Sequence, residues 1–178
     1  LQFGTSTIGK EFKTISFPIS YKSKPTVLTQ IQTENNSNWV ITRTRNIKTS
    51  NFQARIQKEE KNEGKLFENE IIGWMSIDSG NYTRGQKVET KLVSKVNHNT
   101  KTINYSSSFS SSPILLTKIA SYRGGDSCNT RIISNTGDDF KLKIYEEKSK
   151  DTEMRHTFEY IYYFAISENP PTEHPTEP

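Results

Sequence analysis

The chain of 178 residues is long enough for one domain or for two small ones. Only 31% of its residues are apolar while 11% are aromatic, a combination that favours β-sandwiches, and no apolar run approaches the roughly 18 residues of a membrane-spanning helix. The net charge is +4, from 24 Lys and Arg against 20 Asp and Glu, and basic and acidic residues are interleaved, which argues against nucleic acid as a partner.

Alternating apolar residues predict strands in the first part of the chain. One set is Ile15, Phe17, Ile19 and Tyr21, and another is Phe52, Ala54 and Ile56. A spacing of two places each set on one face of a strand. Turn-forming residues separate the strands at Glu34–Asn38 and at Ser79–Gly85.

The second part of the chain has the same pattern. The alternating sets are Phe140, Leu142 and Ile144, followed by Phe158, Tyr160, Tyr162 and Phe164. Turn-rich segments lie at Arg123–Ser127 and Ser134–Asp139. No segment keeps a period of 3.6 residues over three turns, so we predict an all-β fold.

The sequence repeats itself at an offset of 88 residues. The matching pairs include Pro25/Pro113, Thr29/Thr117, Thr42/Thr130, Arg43/Arg131, Phe52/Phe140 and Ile56/Ile144, and after one extra residue Glu70/Glu159, Ile72/Ile161 and Trp74/Tyr163. Self-similarity over about sixty residues indicates a duplicated structural unit. We therefore predict two tandem antiparallel β-sandwich domains, residues 1–84 and 85–168.

Two features point to an extracellular or cell-surface location. Residues 169–178 are rich in Pro, Thr and Glu, which is typical of a linker or tail within a larger extracellular chain or assembly. Three N-glycosylation sequons are candidates for modification, at Asn35, Asn81 and Asn104.

Both units resemble the H-type lectin domain, a six-stranded antiparallel β-sandwich. The resemblance covers about residues 12–78 and 100–167. Its recurring elements are an aromatic strand, a proline that opens the next strand (Pro25, Pro113), an arginine nine residues before a phenylalanine (Arg43, Arg131), and a closing strand with an aromatic residue (Trp74, Tyr163). The resemblance implies an H-type-lectin-like fold in both domains and carbohydrate binding as a function.

The sugar-binding residues of that family are replaced here. At the position of the arginine that holds the sugar, four residues before the frame arginine, this sequence has Trp39 and Ser127. At the position of the aromatic residue in the closing segment it has Glu68 and Thr157. Any carbohydrate site in this chain therefore uses other side chains.

The best candidates for such a site lie in the loop that carries Trp39. Sugar rings stack on indole, and polar neighbours such as Asn38 and Arg43 could bind hydroxyl groups. The matching loop of the second unit offers Asp126, Asn129 and Arg131. Alternatively, Arg43 and Arg131 form structural ion pairs with Glu70 and Glu159.

The sequence contains no recognisable catalytic or metal-binding motif. The three histidines are far apart, and Cys128 is the single cysteine. His156 and Glu159 are three residues apart on a predicted strand, so we expect them to face opposite sides and not to share a metal. We predict a protein that is not an enzyme and that uses no cofactor or metal.

Two functions remain open from the sequence. The first is a non-catalytic extracellular module for carbohydrate binding or adhesion. The second is a structural subunit of a self-assembling glycosylated extracellular fibre or surface coat. The partners are then glycans in the first case and neighbouring copies of the chain in the second.

Overall fold

The structure is a computed structural model that describes residues 1–65 and 67–168. The predicted tail, residues 169–178, lies outside them. The strands are β1 (Gln2–Ile8), β2 (Lys13–Ser16), β3 (Thr26–Ile31), β4 (Val40–Arg45), β5 (Asn51–Lys58), β6 (Glu70–Ile77), β7 (Gly80–Arg84), β8 (Gln86–Val96), β9 (Lys101–Asn104), β10 (Ile114–Ile119), β11 (Cys128–Asn135), β12 (Asp139–Glu146) and β13 (Glu159–Ile166). A 3₁₀ turn at Glu60–Asn62 is the only helical element of the described residues. The predicted all-β fold is confirmed.

The strands form four antiparallel sheets. Residues 1–79, the N-terminal half, contribute the sheets β1-β6-β3 and β2-β5-β4. Residues 80–168, the C-terminal half, contribute the sheets β10-β13-β8-β7 and β11-β12-β9. Each half has its own apolar core, to which both of its sheets contribute. This layering is that of a β-sandwich.

The alternation in β5 and β12 produces the inward faces that the sequence predicts. Phe52, Ala54 and Ile56 of β5 are fully buried, as are the matching residues of β12, Phe140, Leu142 and Ile144. The residues between them point outward, because successive side chains of a strand lie on opposite faces. Burial of one phenylalanine or isoleucine stabilises the fold by about 1.5–3 kcal/mol.

The strand predicted to include both Ile15 and Tyr21 is shorter than expected. β2 ends at Ser16, and Ile19 is 71% exposed, so the predicted shared face is wrong at Ile19, whereas Phe17 and Tyr21 still pack on the core that contains Ile15. Pro18 lacks a backbone N–H and cannot continue the ladder. The chain instead continues along the loop that precedes β5, where the backbone N–H of Phe17 donates to the carbonyl of Ser50 at 2.9 Å.

Equivalent hydrogen bonds recur 88 residues apart. The hydroxyl groups of Thr29 and Thr42 lie 2.7 Å apart, and so do those of Thr117 and Thr130. The backbone bond from Phe17 to Ser50 recurs at 2.9 Å between positions 105 and 138, and that from Glu59 to Trp39 recurs at 3.1 Å between positions 147 and 127. Residues matched by the sequence repeat therefore make matched contacts.

One element falls across the predicted domain boundary. β7 pairs with β8 through a tight turn at Gly85, which has a φ of +79° that favours glycine. The boundary between residues 84 and 85 thus lies inside a hairpin. Division of the chain into two domains stays a prediction, and the hairpin favours a cut before β7.

Candidate binding site at the junction of the two halves

The two halves meet where β3 packs against the outer face of the β10-β13-β8-β7 sheet. β3 contacts β8, β10 and β13 of that sheet. Tyr162, on the outward face of β13, is buried and joins the apolar core of the N-terminal half together with Ala120. The junction is therefore a packed interface that contains apolar and polar side chains.

Arg43 is the main polar contact across this junction. Its side chain is 1% exposed, and its Nη2 lies 3.1 Å from Oε1 of Glu159. Nη1 donates to Gln57 Oε1 at 2.9 Å and to the carbonyl of Asp126 at 2.9 Å. Nη2 also donates to the carbonyl of Gly124 at 3.3 Å. Arg43 therefore forms an ion pair, as one alternative from the sequence has it, but with the glutamate of the other half.

His156 lies on the other side of Glu159. Its Nδ1 donates to Glu146, and its Nε2 is 3.3 Å from Oε1 of Glu159 and 3.5 Å from Sγ of Cys128. Burial alone would lower the pKa of His156, but hydrogen bonds to Cys128, Glu159 and Glu146 raise it to about 10. Burial would raise the pKa of Glu159, but its hydrogen bonds, led by the one from His156, lower it to about 2. Both groups are charged at neutral pH.

The expectation that His156 and Glu159 face opposite sides is wrong. β13 begins only at Glu159, so His156 precedes the strand and the alternation rule does not apply to it. Its ring fills the space beside Gly124, where the Cβ of any other residue would collide with the imidazole. In the sequence repeat Gly124 matches Asn36 of the N-terminal half, whose side-chain amide donates to Glu70 at 2.7 Å.

The remaining predicted site residues are dispersed. Asp126 is exposed and contacts Arg43 only through its backbone carbonyl. Arg131 is exposed, with its guanidinium 5.5 Å from the ring centre of Tyr145. Asn38 is half-buried beside a separate small pocket that Asn35 and Lys58 also line. Because Arg43 is buried, a ligand on the surface cannot reach its guanidinium group, so the predicted platform of Asn38, Trp39 and Arg43 does not form.

The structure does bring together Trp39 and Asn129, one predicted residue from each half. They line a pocket of about 190 Å³ at the junction, together with Gln30 and Lys118. Trp39 is 45% exposed and Asn129 is exposed. An indole face next to amide and ammonium donors is a combination that suits recognition of a sugar ring.

A larger pocket of about 570 Å³ adjoins the first, and the two share Thr29, Gln30 and Lys118 as lining residues. Its walls include Phe3 of β1, which is 76% exposed, and Leu116 of β10. We call the two pockets together the junction groove. It has an exposed aromatic ring in each pocket, and its size lies within the range of about 300–1,000 Å³ that is typical of ligand sites.

Lys118 projects between the two pockets. Its Nζ donates to the carbonyl of Thr42 at 2.9 Å and to the hydroxyl of Thr42 at 2.6 Å. Among the ion pairs of the described residues, none joins Lys118 to a carboxylate. Burial lowers the pKa of Lys118 to about 8, and the positive charge of Arg43 acts in the same direction.

Sequence reasoning missed Phe3, Gln30 and Lys118. Gln30 and Lys118 are 88 residues apart and so occupy matching positions in the repeat, but their residue types differ. Both point away from the core of their own half, so no alternating apolar pattern marks them. The one sequence signal for Gln30 and Lys118 is that an uncharged residue at this position of the first unit is replaced by a charged one in the second.

The three glycosylation candidates are exposed to solvent. Asn104 lies at the end of β9 between the buried residues Ile103 and Tyr105, and its side chain points outward as predicted. Asn81 lies in β7 and not in a turn. The side-chain amide of Asn35 donates to the carbonyl of Asn69 at 2.7 Å, a bond that a glycan on Asn35 would alter.

Comparison with known proteins gives one similarity. No family model matches the chain, and no solved structure matches it. The chain is similar to Halomucin of Haloquadratum walsbyi, with 26% identity over 167 residues that cover 91% of this chain. It spans about 2% of the length of that protein. The resemblance to the H-type lectin domain stays a prediction. Within residues 1–65 and 67–168, no helix is long and apolar enough to cross a membrane.

Proposed function

We propose that this protein is a non-catalytic extracellular module that binds carbohydrate in the junction groove. The observation that carries the proposal is the half-exposed indole of Trp39 in a pocket that also presents the amides of Asn129 and Gln30. The apolar C–H face of a sugar packs on the indole ring, while the hydroxyl groups of the sugar accept hydrogen bonds from the amide N–H groups and donate to the amide oxygens. The lectin-like resemblance of the sequence supports the same function.

An extracellular location is supported by two observations. All three sequons are on exposed asparagines, where a glycosyltransferase can reach them. The chain is also similar over most of its length to a protein whose name is Halomucin. The location and the larger chain or assembly are part of the proposal.

The contacts of the buried histidine suit a role without catalysis. Cys128 and His156 resemble a nucleophile–base pair, but both are buried and His156 is bound to two carboxylates. Their contacts suit a structural role at the junction.

Substitution of Trp39 by alanine tests the proposal. Loss of the aromatic face should weaken binding of a glycan by about 1 kcal/mol or more, roughly fivefold, and leave the melting temperature unchanged. Isothermal titration calorimetry with the whole chain measures the affinity. Full affinity in Trp39→Ala would contradict binding in this groove.

The second candidate is a self-associating structural subunit. One observation favours it: Ile114, Ile166, Val88 and Tyr82 are in register across β10, β13, β8 and β7, and two of them, Ile114 and Tyr82, are exposed. Leu116 and Leu92 extend this exposed apolar surface. Such a surface favours association between copies. Sedimentation velocity at rising concentration should then show oligomers that Ile114→Lys disperses, whereas a monomer at all concentrations would rule this candidate out.

A further inference from the structure

We propose that the junction groove selects acidic oligosaccharides, with Lys118 as the residue that binds the carboxylate or sulfate of the glycan. This inference rests on the proposed carbohydrate function and specifies its ligand class. It is carried by the position of Lys118, which lines both pockets between Phe3 and Trp39. The groove thus has an aromatic ring in each pocket and a cation between them.

The hydrogen bonds of Lys118 leave its charge without an anionic partner. An ammonium group has three donors, and the bonds described for Nζ both go to Thr42, whose carbonyl and hydroxyl groups are neutral. The nearby carboxylate of Glu159 is bound to Arg43 and His156 instead. An anion in the groove would therefore offset a charge that the described ion pairs leave without a carboxylate partner.

The charge around Lys118 favours an anionic ligand further. No acidic residue lines either pocket among the described residues, and the charge of Arg43 nearby is already paired with Glu159, so Lys118 supplies the positive charge of the groove. Both pockets share the Lys118 wall, so a chain of several sugars can contact both rings while one acidic substituent meets the ammonium group. A single neutral sugar uses only one end of the groove.

The test compares acidic and neutral glycans of equal length. Hexamers of galacturonate and of chondroitin sulfate supply carboxylate alone and carboxylate with sulfate, and chitohexaose and cellohexaose are the neutral probes. Calorimetry with the whole chain gives the affinities, and tryptophan fluorescence reports occupancy of the groove, because Trp39 and Trp74 each line one of its pockets. A charge-assisted hydrogen bond predicts roughly ten- to hundredfold tighter binding of the acidic hexamers.

Lys118→Met removes the ammonium group, and Lys22→Met is the matched control because Lys22 is exposed outside both pockets. Lys118→Met should abolish the preference for acidic hexamers, and Lys22→Met should retain it. Should Lys118→Met fail to fold, the salt dependence of the unmodified chain decides: the preference should fall about tenfold or more from 50 to 500 mM NaCl, because salt screens the pair.

Each outcome distinguishes the inference from the function on which it rests. Equal binding of acidic and neutral hexamers, a preference that survives Lys118→Met, or a preference insensitive to salt would overturn the inference and leave carbohydrate binding standing. Absence of binding by every hexamer would overturn both and favour the self-associating subunit.

Discussion

Replacement of Arg43 by methionine should destabilise the protein strongly. The substitution retains most of the side-chain volume but removes the ion pair to Glu159 at 3.1 Å and the hydrogen bonds to Gln57 and to two backbone carbonyls. Breaking one partner of a buried pair costs about 3–5 kcal/mol. Glu159 keeps its bonds from His156, the Ser121 hydroxyl and two backbone amides, so the expected loss lies near the lower end, about 3 kcal/mol.

Arg131 provides an internal control for this prediction. It occupies the matching position 88 residues later but is exposed, so Arg131→Met should change the free energy of unfolding by no more than about 0.5 kcal/mol. Urea denaturation, followed by circular dichroism, measures both variants. If the two substitutions cost the same, the ion pair between the halves does not stabilise the fold, and the reasoning from burial is refuted.

Three further predictions follow from the charges and surfaces described above. The pair of Glu159 and His156 should stabilise the fold most between about pH 4.5 and 6.5. Above pH 6.5 the histidine of the unfolded chain is deprotonated while folded His156 keeps its proton up to about pH 10, so folding must take up a proton and the stabilisation decreases; below pH 4.5 the glutamate of the unfolded chain is protonated while folded Glu159 stays ionised down to about pH 2, with the same result. Melting temperatures that stay constant from pH 6 to 10 would contradict the assigned contacts. Intact-mass measurement of native material should show glycans on one or more sequons (Asn35, Asn81 or Asn104), and unmodified mass would count against an extracellular source. The two halves, separated by a cut after residue 79 so that β7 stays with β8, should each fold but unfold at lower urea concentrations than the whole chain. Separation exposes Tyr162 and leaves Arg43 without Glu159. Full stability of either half alone would show that the junction contributes nothing to stability.

The cores of the two halves were predictable because alternating side chains report directly on burial. The alternation in β5 and β12 gives two inward faces with no further information. The prediction failed at Ile19, where Pro18 ends the strand, and at His156, which lies before the strand to which it was assigned. In both cases a strand boundary changed which face a side chain occupies.

The junction groove was less predictable from the sequence, since it depends on residues that point away from either core. Trp39 and Asn129 were identified as separate candidates in matching loops, and only the packing of one half on the other places them in one pocket. No sequence pattern marked Lys118 as a candidate. Its side chain points outward from β10 and lines the groove because β3 of the other half packs beside that strand.

A difference between the matched loops explains why the charges of the junction are distributed in this way. Glu70 and Glu159 each accept backbone hydrogen bonds from the loop that follows the strand paired with their own, which is β3 for Glu70 (positions 35 and 36) and β10 for Glu159 (positions 123 and 124). In the N-terminal half the side-chain amide of Asn36 also donates to Glu70, so the described partners of that carboxylate all come from the loop of its own half. In the C-terminal half Gly124 leaves room for the His156 ring, and Glu159 accepts both this cation and Arg43 from the other half.

The contacts of Glu159 also affect which charge the junction groove presents to a ligand. Glu159 is bound to both Arg43 and His156, and the hydrogen bonds described for Lys118 go to the neutral oxygen atoms of Thr42. A buried cation prefers an anionic partner to a neutral one, because Coulomb attraction offsets part of its lost hydration. Lys118 therefore gives the junction groove a positive charge, and the acidic glycan that we propose as its ligand has the complementary charge.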